Sequence, residues 1–165
     1  MSMDRDNSAL IRRYNSNIRL SGRFFIFFGL WSVIRTIIMF TMNSNIKSAA
    51  FADAEIDEGD ELLFSVILII VFAVIFMFIM GFHLFVGICA IRYSRGKSKN
   101  PVFLILAAIN IVIVLICLPL NLDTTYYGIA SVVASTVVDL TMVFLLFDMI
   151  WSAIKVRRLN RAAKE

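Results

Sequence analysis

The chain predicts an all-α integral membrane protein: an up-down antiparallel four-helix transmembrane bundle, N-in and C-in, led by a short N-terminal interfacial helix. Three observations predict it. Hydrophobic residues make up 60% of the 165 positions and charged ones only 17%, with a mean hydropathy of +0.85, well beyond the roughly half-apolar usage of a soluble domain. Four apolar runs, Phe24 to Met42, Leu62 to Ile91, Val102 to Leu120 and Tyr126 to Ile154, reach or approach the ~20 residues that a helix needs to cross a ~30 Å hydrocarbon core. Fourteen of the sixteen Lys and Arg residues fall in residues 1 to 23, 92 to 99 and 155 to 164, alternating with those runs. Basic segments beside span ends mark the cytoplasmic side.

The same observations exclude other classes. Stretches such as Val66 to Ile79 are apolar at every position, whereas a membrane β-barrel needs alternating segments of about 10 residues. The net charge of +4 sits at span ends, where it orients the chain and attracts anionic headgroups, so no nucleic-acid partner is expected. Cys89 and Cys117 belong to opposite ends of their spans and no C-x-x-C is present. That removes a disulfide and a thiol oxidoreductase.

One domain is expected over residues 1 to 165, with spans at about 23 to 43, 62 to 92, 101 to 120 and 125 to 156. Basic cytoplasmic segments cover 1 to 22, 92 to 100 and 155 to 165, and an acidic outer loop covers 43 to 61. Leu10, Ile11, Tyr14 and Ile18 recur at helical spacing among Arg12, Arg13 and Arg19, which predicts a helix lying on the inner leaflet. Span 1 starts after Ser21-Gly22-Arg23. Small-residue triplets at 50 to 52 and 52 to 54 resemble signal-peptide cleavage sites, but the apolar run is long and contains Arg35, so a retained span is expected.

The outer loop carries Asp53, Glu55, Asp57, Glu58, Asp60 and Glu61. An EF-hand needs Gly at its sixth position, where Glu58 stands instead. A solvated acidic turn is expected. Spans 2 and 4, at about 30 residues each, are long enough to tilt or protrude. Pro101 suits the first helical position of span 3 and Pro119 its close, before a short outer turn at 121 to 123. Gly81 and Gly87 in span 2, and Ala130, Ser131, Ala134 and Ser135 in span 4, are candidates for close helix approach.

Ionisable groups inside spans cost about 2.5 to 3.5 kcal/mol on insertion scales and so normally face a partner or a wet cavity. Arg35, His83, Asp139 and Asp148 are such groups. Counting from the basic segments sets Arg35 and Asp139 at comparable depth, which predicts an ion pair between spans 1 and 4. Ser32 shares a face with Arg35, and Ser135 one with Asp139. His83, Asn110 and Asp148 each lie nine residues from an inner landmark, Arg92, Pro101 and Arg157. With Ser32 in reach, these would form a hydrogen-bonded ring across the bundle.

Such layers either set helix register or line a path for a proton, ion or small solute, with His83 and Asp148 exchanging protons near neutral pH. One histidine does not make a multi-His metal site, and neither G-x-S-x-G nor a Gly-rich phosphate loop is present. The expectation is a non-enzymatic accessory or assembly subunit in the cell membrane, with no cofactor, contacting anionic headgroups and a membrane protein or a second copy. The alternative is a small transporter or channel subunit acting as an oligomer.

Overall fold

A computed structural model describes residues 2 to 42, 61 to 98, 100 to 121 and 129 to 162. Four helices account for nearly all of them: α1 Ser2–Met42, α2 Glu61–Ser94, α3 Val102–Asn121 and α4 Ile129–Ala162, with no strand among the described residues. Each contains a segment long and apolar enough to cross a membrane: Asn7–Ile38, Val66–Ser94, Val102–Pro119 and Val132–Ala162. Helices are the form that such sequences must take, because lipid offers no partner to an unpaired backbone amide. The acidic segment from 43 to 60, the cleavage-like triplets and most of the short outer turn lie outside the described residues.

The first departure from expectation concerns α1. A separate interfacial helix before span 1 does not form; the helix runs unbroken for 41 residues, about 60 Å at 1.5 Å per residue. Ser21 and Gly22, expected to mark the junction, are buried inside it. The physical reason is packing. Ile18 is fully buried and Tyr14 packs against the core, so two of the four apolar residues expected to meet headgroups meet protein instead, while Leu10 stays exposed.

Contacts run in a closed circuit: α1 against α2 most extensively, then α1 against α4, α3 against α4, and α2 lightly against α3. Among the described residues the backbones of the diagonal pairs, α1 with α3 and α2 with α4, do not come close. The α1/α2 contact is antiparallel and built on glycine. A Cβ at Gly22 would lie 3.0 Å from the Gly87 carbonyl oxygen, and one at Gly87 would lie 2.7 Å from the Gly22 carbonyl oxygen. A Cβ at Gly29 would strike His83 at 2.5 Å. Glycine in mid-helix costs about 1 kcal/mol relative to alanine, and the compensation is backbone approach that lipid-embedded helices use for van der Waals gain. Gly81, expected to act likewise, has nothing within 4 Å.

The core is Ile18, Phe25, Val86, Ala90, Phe103, Ala107, Leu146, Met149, Ala153 and Val156. All ten lie toward the end of the molecule that carries the α2/α3 turn. That turn is a Schellman closure: the Gly96 amide donates to the Tyr93 carbonyl at 2.9 Å and the Lys97 amide to the Arg92 carbonyl at 3.0 Å, with Gly96 at φ 69°. Only glycine adopts this φ without strain. Helix α3 then starts directly after Pro101. Outward faces are apolar, with Phe78 79% and Phe144 71% exposed, as lipid-facing residues should be. The thiols of Cys89 and Cys117 are free.

Candidate functional site: polar residues on the inward seams

Inward residues recur at alternating steps of three and four. On α4 the series is Val132, Ser135, Asp139, Met142, Leu146, Met149, Ala153 and Val156, every member buried or half-buried. On α1 it is Ile18, Gly22, Phe25, Gly29, Ser32 and Thr36; on α2, His83, Gly87, Ala90 and Ser94; on α3, Phe103, Ala107, Asn110 and Val114. A 3.5-residue repeat keeps one stripe facing its neighbours in left-handed packing. Ser32, His83, Asn110, Ser135 and Asp139 therefore all occupy seam positions. Their placement follows from the same repeat that places the core.

His83 is the most constrained of them. It is 7% exposed, and its Nδ1 lies 2.8 Å from the Ile79 carbonyl oxygen one turn back. A carbonyl only accepts, so Nδ1 carries the hydrogen, which leaves Nε2 as the acceptor nitrogen of the neutral ring. The ring stacks on Phe25 of α1, centroids 4.5 Å apart at 24°, and meets Phe82 edge-on at 5.8 Å. Gly29 closes its other approach. The imidazole is thus a flat packing element in the α1/α2 contact.

The expected ring of His83, Asn110 and Asp148 is not brought together. No hydrogen bond joins the three among the described residues, and the Asn110 Oδ1 is buried without a partner. The cause is the helix circuit: His83 faces α1, α2 touches α3 only lightly, and its backbone is not a neighbour of α4. Asp148, half-buried, stands one position off the α4 seam, beside Met149. Ser135 is 4% exposed with an unpartnered Oγ, and Ser152, fully buried, is in the same condition.

Arg35 and Asp139 are both half-buried, on helices that pack against each other. Asp139 is on its seam and Arg35 stands beside Thr36 on the α1 seam. The threonine hydroxyls nearby are satisfied within their own helices: Thr36 Oγ1 donates to the Ser32 carbonyl at 2.9 Å and Thr136 Oγ1 to the Val132 carbonyl at 2.9 Å. Such back-bonding lets a hydroxyl sit in lipid or in a seam without a neighbour's help.

Two features escaped the sequence reading. The unpartnered Ser152 lies only four residues after Asp148, and the α4 repeat that buries its neighbourhood was available to a count of apolar spacing. Gly22 and Gly29, seven residues apart, were a readable signal for close approach in α1. Comparison with protein-family models, with curated proteins and with solved structures finds no match.

Proposed function

We propose that this chain is a non-enzymatic accessory or assembly subunit of the cell membrane, an up-down bundle of four spans with both termini cytoplasmic. In this reading its intramembrane polar residues set which helices pair and in what register, and Arg35 and Asp139 pair across the α1/α4 contact. The observation that carries it is His83, whose Nδ1 hydrogen is tied to its own helix and whose ring packs against Phe25, Phe82 and Gly29. A proton relay needs an ionisable group facing water or a second carrier. The basic segments at the cytoplasmic span ends then rest against anionic headgroups.

A second reading, an ion, proton or solute channel subunit working as an oligomer, draws on Asn110 and Ser135, whose buried oxygens lack partners. Replacing Arg35 or Asp139 by Leu separates the two. The assembly reading expects each variant to lose about 3 kcal/mol of stability in detergent, since an intramembrane charge is left alone, while ion and proton flux in proteoliposomes stays at the lipid baseline. Flux by the native protein that Asp139→Leu abolishes would overturn it.

A further inference from the structure

Where α1, the α2/α3 turn and α4 converge, the surface holds a pocket of about 510 Å³, lined among others by Asn15, Tyr93, Ser98, Arg157, Asn160 and Arg161. We infer that this pocket binds a phosphate group, presented by an anionic lipid headgroup or by a soluble phosphate compound. The inference depends on the membrane setting but not on the assembly role proposed above.

Its chemistry is consistent in sign and geometry. Arg157 and Arg161 stand one turn apart on α4, with Asn160 beside them on the same side. Two guanidinium groups at that spacing offer planar donor pairs that match phosphate oxygens. No carboxylate lines the pocket, so neither arginine is neutralised there by a side chain among the described residues. The remaining polar groups donate as well. Ser98 Oγ accepts the Asn100 amide at 3.3 Å, which leaves its own hydrogen free to point outward.

A merely solvated basic tail would be mobile and spread along one helix. Here the donors come from three separate chain segments, and each segment is anchored. Val156, beside Arg157, is 4% exposed in the core; the turn is closed by the Gly96 Schellman bonds; Ile18, three residues from Asn15, is fully buried. The level also fits. Tyr93 follows the last apolar turn of α2, and one turn before Lys155 the Trp151 ring lies 5.1 Å from its ammonium, an aromatic and basic pair of the kind found at headgroup depth.

The test is thermal unfolding of the full chain in a neutral detergent, titrated separately with short-chain phosphatidic acid, short-chain phosphatidylcholine and inorganic phosphate. The pocket variant is R157Q with R161Q; the control, R95Q with R158Q, removes equal charge outside the pocket lining. Phosphatidic acid is expected to stabilise the native and control proteins, and its apparent affinity to fall at least about tenfold in the pocket variant. Should R157Q with R161Q fail to fold, R157K with R161K keeps the charge and loses the paired donors, with a smaller fall expected. Equal response to inorganic phosphate would assign the site to a soluble phosphate compound; preference for phosphatidic acid would assign it to lipid. Equal losses in pocket and control variants, or equal binding of phosphatidylcholine, would overturn the proposal.

Discussion

The two ends of this molecule are held together in different ways. Toward the α2/α3 turn, all four helices supply buried residues, glycines bring α1 and α2 into backbone contact, and a Schellman bond pair closes the turn. Toward the other end, among the described residues, burial falls to Val132 and Ser135 on α4, and the first half of α2 presents Ile69, Ile70, Val74, Met77 and Phe78 outward. What differs, among the described residues, is glycine at close approach: Gly22, Gly29 and Gly87 bring α1 and α2 together, whereas Gly81 toward the other end meets nothing within 4 Å, and in lipid such approach is what lets helices gain by touching.

The largest effect should follow from forcing the α1/α2 contact apart. Gly87→Leu is expected to lose about 3 kcal/mol in denaturant unfolding from mixed micelles, because its Cβ would meet the Gly22 carbonyl. Gly81→Leu, six residues toward the open end, should change stability by less than about 0.5 kcal/mol. Equal losses at the two glycines would mean that the ends are packed alike.

His83 gives the next test. His83→Ala should lose about 2 kcal/mol as the stack on Phe25 becomes a void, whereas His83→Phe should restore most of that in the same assay. If the aromatic replacement were as damaging as alanine, the polar nitrogens rather than the flat ring would be what the contact requires. The smallest effect is expected at Asn110. Asn110→Leu should be neutral or stabilising by about 1 kcal/mol, since it removes a buried oxygen that has no partner.

Much of this architecture was legible in composition and charge. Helix number and approximate positions followed from apolar runs of membrane length, and the basic segments coincide with the α2/α3 turn and the last turns of α4. Depth counting succeeded less well for the polar ring. It measures height along the membrane normal, whereas contact also needs rotation about each helix axis and knowledge of which helices adjoin. Counting gives His83 and Asp148 a common height, but the backbones of their helices are not neighbours. The three-four repeat carries the missing rotation: it places Asp139 on the α4 seam and Asp148 off it. Gly22 was mistaken for a break because its sequence neighbours, Ser21 and Arg23, resemble a junction, when its role is decided by Gly87 on another helix.

The unbroken course of α1 has a mechanical consequence. A helix with no kink cannot absorb a change of angle along its length, so a tilt adopted to match bilayer thickness is carried to its far end. For a stiff rod extending about 30 Å beyond the pivot, a tilt of about 10° displaces the tip by about 5 Å. The N-terminal turns of α1 therefore move with its apolar segment, and with the helices that Tyr14 and Ile18 pack against, as one body.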